Sequence, residues 1–128
     1  MRLTWLLLAL AATAPALEIH VSPTGDDGAD GSAEKPLRTL EAARKKVRAS
    51  GRLGQEPVNF LLGDGTYFLG ETFVLEPEDS GTAENPVTYR AVNEGKAVLS
   101  GGIPLKLEWK PWHAGILVAE TESALLLH

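Results

Sequence analysis

The chain has 128 residues, of which 44% are hydrophobic and 23% charged, with a formal net charge of −5 and no cysteine. This length accommodates one ordinary domain at most, and the apolar fraction suits a packed core rather than a disordered chain. The lack of cysteine excludes disulfides, Cys-ligated zinc, iron–sulfur clusters and thiol catalysis. The acidic balance argues against nucleic acid as a partner, because binding its backbone needs a basic face.

The first 16 residues have the three parts of a secretory signal peptide. Arg2 supplies a basic start, an uncharged apolar stretch begins at Leu3, and Ala14 and Ala16 form an A-x-A cleavage site before Leu17. The apolar stretch is shorter than the roughly 20 residues of a membrane span. A buried core helix is the alternative. We therefore expect cleavage after residue 16, a secreted or periplasmic mature protein, and no membrane association after cleavage.

The mature chain is predicted to begin with a strand, a loop and a helix. Residues 18–22 alternate polar and apolar side chains, which favours a strand, and residues 23–32 are dense in Gly and Asp, which favours a surface loop. Apolar residues at helical spacing predict a helix over Leu40–Ser50, with Thr39 as its N-cap and Gly51 as a left-handed C-cap. The apolar stripe of this helix is narrow, so we expect the helix to lie over another element.

From Pro57 onward, short β-rich segments alternate with turn residues. Such a pattern is typical of a sandwich, a barrel or a solenoid. Val58–Leu62 is almost wholly apolar, as in a parallel strand that is buried on both faces. The predicted strands are Val58–Leu62, Thr66–Leu69, Thr72–Leu75, Val87–Ala91, Ala97–Leu99 and Gly115–Ala119.

Several of these segments, in this order, resemble the start of secreted right-handed parallel β-helix proteins of the pectate-lyase-like superfamily. The resemblance covers roughly residues 18–118. The segments that carry it are Val21–Asp27, Lys35–Arg44, the Gly65-Thr66-Tyr67 turn, Asp79–Thr82, Asn85–Ala91, the Ser100-Gly101-Gly102 turn and Trp109. The fold implied by this resemblance is mainly β, with an N-terminal cap helix and the first rungs of a right-handed parallel β-helix.

The resemblance also implies a domain organisation. After the signal peptide at 1–16, residues 17–56 would hold the first strand, the Gly/Asp loop and the capping helix. Residues 57–128 would hold the first rungs of an incomplete solenoid. Members of this superfamily continue for many further rungs and carry their catalytic and sugar-binding residues on the middle ones. We therefore expect a truncated chain that contains no catalytic site.

Three aromatic residues, Trp109, Trp112 and Tyr67, are candidates for stacking on sugar rings, because an aromatic face can cover the apolar face of a pyranose. Trp109 and Trp112 are the predicted substrate-binding residues, with a polysaccharide or surface glycan as partner. The alternative is that Trp109 packs on the strands and Trp112 borders a loop, since large aromatic side chains usually serve the core.

The acidic residues give weaker candidates. Asp26, Asp27 and Asp30 supply the hard oxygen ligands that calcium prefers, but their spacing fails the EF-hand pattern, so a solvated acidic loop is the alternative. Asp64 and Asp79 are candidate catalytic carboxylates that lie in turn sequences, where Asp commonly bonds its own backbone. No catalytic residue and no cofactor is assigned.

The basic and histidine residues predict no site. His20, His113 and His128 show neither metal-ligand spacing nor a nucleophile partner, and His20 is expected to face outward from its strand. The basic residues near the helix are interpreted as a solvated helix face. They are Arg44, Lys45, Lys46, Arg48 and Arg52.

Three hypotheses for function follow. The first is the N-terminal piece of a secreted carbohydrate-active β-helix enzyme, a polysaccharide lyase or a glycosidase. The second is a small non-catalytic module that binds glycan through its tryptophans or self-associates through its open sheet end. The third is a truncated gene product without function, which the apolar segment Leu125–Leu127 favours.

Overall fold

In the computed structural model, residues 15–120 are described, so residues 1–14 of the predicted signal peptide lie outside the described part. Seven short strands, one α-helix and one 3₁₀ turn make up the described chain. In chain order they are β1 (Leu17–Val21), α1 (Leu40–Ser50), β2 (Val58–Leu62), β3 (Gly65–Phe68), the 3₁₀ turn Pro77–Asp79, β4 (Val87–Ala91), β5 (Ala97–Ser100), β6 (Lys110–Pro111) and β7 (Leu117–Val118).

Two parallel sheets form the body of the molecule. The first has the strand order β1-β2-β4 and the second pairs β3 with β5. The chain passes from the first sheet to the second at Gly63-Asp64, returns at β4, and crosses again to β5. Val58 pairs with Val87 and Gly65 with Ala97, so residues about 30 positions apart lie side by side. The described chain is therefore mainly β, with one helix and parallel sheets.

The core consists of side chains stacked in columns across the first sheet. Ile19, Phe60 and Tyr89 share one position along β1, β2 and β4, and the rings of Phe60 and Tyr89 stack with centroids 4.3 Å apart. Ile19 and Phe60 are buried, whereas Tyr89, on the last strand, is only half-buried. The second sheet adds Tyr67, which is 5% exposed. Burial thus falls toward β4, where the first sheet ends.

The helix begins and ends where the sequence predicts. The Thr39 hydroxyl accepts the backbone N–H of Ala42 at 3.1 Å, and Gly51 closes the helix with φ of 66°. Leu40, Ala43 and Val47 are buried against the strands, so the narrow apolar stripe lies over the core as expected. Within residues 15–120, no helix is both long and apolar enough to cross a membrane.

The strand predictions are confirmed at β2 and β4, whereas Thr72–Leu75 is not a strand. Arg44 of the helix donates a hydrogen bond from Nη1 to the carbonyl oxygen of Val74, and Phe73 packs edge-on against Tyr89. This segment therefore uses its backbone to hold the helix instead of pairing in a sheet. Gly115–Ala119 contributes only the two residues of β7, which pair antiparallel with β6.

A buried carboxylate links the helix to the 3₁₀ turn. Asp79 is 7% exposed, and its Oδ1 and Oδ2 accept hydrogen bonds from Arg48 at 3.0 and 2.5 Å. Arg44 adds a third contact at 3.6 Å, and the backbone N–H of Glu76 donates to Oδ2 at 2.9 Å. Asp79 thus bonds the backbone of its own turn, as the turn alternative predicted, and its carboxylate also accepts bonds from a helix over 30 residues away.

The prediction of a solvated basic helix face is correspondingly wrong for two of its residues. The side chain of Arg44 is 17% exposed and that of Arg48 is 36% exposed, and both point at Asp79. Lys45 and Arg52 are exposed as predicted, and Arg52 pairs with Glu56. The Arg48 guanidinium is the main cause that holds the pKa of Asp79 below its ordinary value, against the opposing effect of burial.

Asp79→Asn is expected to lower the free energy of unfolding by about 2–3 kcal/mol at pH 7, because charged hydrogen bonds are lost and two guanidinium groups lose their shared partner. The contribution of Asp79 should be complete above about pH 4 and disappear as pH falls through its lowered folded-state pKa. The stability of the Asn variant should therefore depend less on pH below pH 4. Urea unfolding between pH 2.5 and 7 measures both effects.

Glu78→Gln is the matched control, because Glu78 lies in the same 3₁₀ turn but is exposed. We expect its unfolding free energy to stay within about 0.5 kcal/mol of the unsubstituted chain. Equal losses for the two variants, or an unchanged acid profile for Asp79→Asn, would show that the Asp79 ion pairs do not stabilise the fold.

Candidate functional site

The two tryptophans predicted to bind sugar flank the short strand β6. Trp109 is 61% exposed and Trp112 is 65% exposed, so neither ring packs in the core. The backbone N–H of Trp112 donates to the carbonyl of Ile116 at 2.9 Å, which extends the β6–β7 hairpin by one residue pair. The hairpin therefore displays both indole rings to solvent, as a surface that stacks on sugars requires.

A tight turn closes this hairpin. Ala114 and Gly115 have φ of 50° and 78°, and Ile116 donates its N–H to the carbonyl of His113 at 2.9 Å. A left-handed conformation costs a non-glycine residue on the order of 1 kcal/mol, so the turn stores strain at Ala114. The centroids of the His113 and Trp112 rings lie 4.2 Å apart, so the His113 ring contacts the Trp112 ring.

Tyr67 does not belong to this surface. Its side chain is 5% exposed, and its hydroxyl lies 2.8 Å from the carbonyl oxygen of Val21 and 2.9 Å from that of Gly63. Burial is the main cause that raises the pKa of Tyr67. The suggestion that Tyr67 stacks on a sugar was wrong, because its ring lies in the core and its hydroxyl ties β1 to the corner after β2.

The three aspartates of the Gly/Asp loop serve different turns. Asp26 accepts the N–H of Gly28 and Asp30 that of Ser32, each at 2.8 Å. Asp27 accepts the N–H groups of Arg38 and Thr39 through Oδ1, and the Thr39 hydroxyl through Oδ2. In the part of the chain that the structure describes, no three acidic or histidine side chains gather as a metal-binding group. Calcium binding by this loop therefore stays a prediction.

The other polar candidates are structural. Asp64 is exposed and accepts a hydrogen bond at 3.0 Å from the side chain of Asn93, which joins the corner after β2 to the turn after β4. His20 lies on the face of β1 opposite to Ile19 and Val21, as expected, and its Nε2 is 4.0 Å from a Glu18 carboxylate oxygen. His128 lies outside the described residues.

The sequence did not predict a groove beside β4 that contains Asp79, one of its candidate carboxylates. A groove of about 380 Å³ is lined by residues that include Asp79, Ser80, Thr82 and Tyr89. Burial, with a smaller effect of the Asp79 charge, raises the pKa of Tyr89 to about 12. Asp79 is held ionised by Arg48, so at neutral pH neither group is poised to transfer a proton. Their arrangement serves stability.

Comparison with curated proteins gives two relatives. The chain is 36% identical over 83 residues to the "Uncharacterized protein YwoF" of Bacillus subtilis (strain 168), which covers 65% of this chain and 15% of the relative. It is 34% identical over 98 residues to "Pectate lyase PEL9" of Emericella nidulans, which covers 77% of this chain and 22% of that protein. The chain thus spans less than a quarter of the length of either relative.

A solved structure named "Glycoside hydrolase" superimposes with a TM-score of 0.69 at 38% sequence identity, over 76% of this chain and 17% of that one. No family profile matches the chain. The similarity to a pectate lyase and a glycoside hydrolase, together with the parallel sheets, fits part of a carbohydrate-active β fold.

Asp27→Ala is expected to lower the free energy of unfolding by about 1–2 kcal/mol, since it removes a carboxylate that accepts hydrogen bonds at the start of α1. Asp26→Ala is the matched control, because Asp26 accepts one bond within its own turn, and we expect a loss below about 1 kcal/mol.

Thermal unfolding of both variants in calcium chloride and in EDTA measures the difference. If the Asp27 carboxylate acts as a capping group, the gap between the variants is the same in both buffers. A loss relative to the unsubstituted chain that is larger in calcium chloride than in EDTA would instead assign the substituted aspartate to a metal site.

Proposed function

We propose that this chain is the N-terminal portion of a secreted carbohydrate-active protein built on a right-handed parallel β-helix, of the polysaccharide lyase or glycosidase type. The observation that carries the proposal is the alternation of the chain between two parallel sheets. Strands β2 and β3 are followed by β4 and β5 in the same order, and each strand pairs in parallel with its equivalent. This is the arrangement expected of two successive coils of a solenoid.

The helix supports the same proposal. A solenoid needs a cap on its first coil, because an uncovered stack exposes apolar side chains and unpaired strand edges. Leu40, Ala43 and Val47 of α1 are buried against the core, and the isolated pairing of Val21 with Leu37 borders β1 on its outer edge. In the proposed protein, α1 and the loop before it close the N-terminal end of the β-helix.

The catalytic residues belong, in this proposal, to coils outside the described residues. Glycosidases of both stereochemical types use two carboxyl groups about 5–9.5 Å apart. Here Asp64 bonds Asn93 and Asp79 pairs with Arg48, so both carboxylates have structural partners. The chain also spans only 15% and 22% of its curated relatives, which leaves most of such a protein for the reaction.

Secretion and the substrate class follow from the same set of observations. The signal-peptide pattern of residues 1–16 fits export, and polysaccharide substrates lie outside the cell. The relative from Emericella nidulans is named a pectate lyase, so pectate is the first substrate to test. A neutral polysaccharide is the second, because the name of the solved relative, glycoside hydrolase, does not specify an acidic sugar.

The experiment compares residues 1–128 with the product of the whole gene that encodes them. We expect the whole product to cleave pectate or a neutral polysaccharide. A lyase creates an unsaturated end that absorbs in the ultraviolet, whereas a hydrolase creates only a new reducing end. Residues 1–128 alone should cleave neither substrate. Cleavage by residues 1–128 alone would contradict the assignment of catalysis to later coils, and an inactive whole product would contradict the proposed activity.

A second candidate function, a glycan-binding surface on the β6–β7 hairpin, is favoured by the exposure of Trp109 and Trp112. An exposed indole on a hairpin loses little conformational freedom on binding and offers a flat apolar face. This function does not require a catalytic residue in the chain and is compatible with the first proposal.

Trp112→Ala is expected to weaken binding to the preferred polysaccharide by about tenfold, because a stacking ring is removed. Affinity electrophoresis in gels that contain pectate or a neutral polysaccharide measures the effect. Ile103→Ala is the matched control, since Ile103 is an exposed apolar residue at 50% exposure that is not aromatic. Equal retardation of the unsubstituted chain and of both variants would refute a tryptophan-based site.

A further inference from the structure

Strand β1 begins at Leu17, the residue that directly follows the predicted signal-peptide cleavage site at Ala16. The backbone N–H of Leu17 donates to the carbonyl oxygen of Pro57 at 2.8 Å, and Leu17 lies beside Val58 of β2. The bond to be cut is therefore joined directly to the first residue that is fixed in the sheet.

Strand β1 is bound along both of its sides. On one side, residues Leu17–Val21 pair in parallel with Val58–Leu62 of β2. On the other side, the N–H of His20 donates to the carbonyl of Gly31 at 2.8 Å, and the N–H of Leu37 donates to the carbonyl of His20 at 2.9 Å. The first strand of the mature chain is thus inserted between two later segments.

The side chains of β1 hold it in the core. Ile19 is 6% exposed and Val21 is 1% exposed, and both pack in the cluster that α1 covers. The carbonyl oxygen of Val21 also accepts the N–H of Gly63 at 2.8 Å. Removing β1 from the sheet exposes these apolar side chains and breaks these hydrogen bonds, so this local opening is costly.

The position of the cleavage site has a consequence for the folded precursor. A peptidase acts on an extended segment with residues on both sides of the bond it cuts, and ordered structure around the bond protects it. On one side of the Ala16–Leu17 bond that segment is β1 itself. Cleavage of the folded precursor therefore requires β1 to leave the sheet, and its rate falls with the fraction of molecules in which β1 is open.

We propose that the signal peptide is removed before β1 docks, so that processing precedes folding of the N-terminal coil. Water adds across the Ala16–Leu17 peptide bond, which leaves a carboxylate on Ala16, and the proton released is taken up by the new amine of Leu17. The nitrogen of this ammonium group then donates to Pro57 when β1 enters the sheet. The inference rests on the secretion included in the proposed function and adds the order of events: export of an unfolded chain, cleavage, and docking of β1.

An order-of-addition experiment tests the proposal. It uses the whole precursor that the gene encodes, so that the N-terminal coil folds together with any coils that follow it. In one order, precursor unfolded in urea is diluted directly into detergent micelles that contain a purified signal peptidase. In the other order, the precursor refolds first, as followed by circular dichroism, and the peptidase is added afterwards. We expect the prefolded precursor to be cleaved at least about 100-fold more slowly.

The outcomes separate this inference from its premise. Equal rates in the two orders would overturn the proposal and leave both secretion and polysaccharide cleavage unaffected. N-terminal sequencing of the exported protein is expected to begin at Leu17. An exported protein that retains residues 1–16 would contradict the signal peptide itself, and with it the proposed order of events.

A linker that separates the bond from β1 should remove the protection. Six Gly and Ser residues inserted between Ala16 and Leu17 supply about 20 Å of extended chain. The prefolded precursor should then be cleaved within about threefold of the rate in the first order. The same insertion between Gly101 and Gly102, which are both exposed, is the matched control and should leave the protection unchanged. Equal acceleration by the two insertions, or none by the first, would overturn the proposal.

Ile19→Ala should raise the cleavage rate of the prefolded precursor at least about tenfold, because the loss of a buried side chain makes β1 easier to open. Ile116→Ala is the matched control, since Ile116 is 49% exposed, and its effect should stay within about threefold. Each effect is measured as the ratio of the rates in the two orders, which removes any direct effect on recognition by the peptidase. Equal ratios for the two variants would contradict control of cleavage by β1.

Discussion

In-register parallel pairing is the constraint on which the rest of the molecule depends. Because β1, β2 and β4 pair with equivalent residues side by side, each interior column is made of residues that occupy one position along their strands. A side chain within such a column is fully buried only where another side chain of the column packs on each side of it. Phe60 has Ile19 and Tyr89 and is 1% exposed, whereas Tyr89 has a neighbour on one side and is half-buried. The architecture therefore requires a cover at each end.

Helix α1, which covers the first end of the sheet, is held in place by ion pairs as well as by apolar contacts. Helix α1 buries a narrow stripe, which by itself would leave its rotation over the strands weakly defined. Two arginines of the helix fix its orientation over the strands. Asp79 accepts hydrogen bonds from Arg48 and forms an ion pair with Arg44. The carboxylate lies on the segment between β3 and β4, so the ion pairs join the cap to the second coil. The apolar stripe of α1 and the ion pairs of its arginines with Asp79 thus together hold the helix in place.

Elements set by neighbouring residues could be predicted from the sequence. Helix α1 was predicted to the residue because Thr39 and Gly51 mark its ends and its apolar spacing is local. Elements set by distant partners could not. Thr72–Leu75 has strand composition, yet the carbonyl of Val74 is bound by Arg44, 30 residues away. For Trp109 the sequence left a sugar-binding surface and a place against the strands as alternatives, and only the structure, where the side chain is 61% exposed, decides between them.

The aromatic candidates for sugar binding lie away from the end of the first sheet that α1 covers. The groove at Tyr89 and the β6–β7 hairpin follow the 3₁₀ turn at Pro77–Asp79 in the chain or lie beside it. The residues before β2, by contrast, cover the first end of the sheet, since Asp27 of the Gly/Asp loop caps α1 and Leu37, after that loop, pairs with Val21 of β1. Among the described residues, Trp109 and Trp112 of the β6–β7 hairpin are therefore better placed to contact a sugar than the side chains that hold the cap.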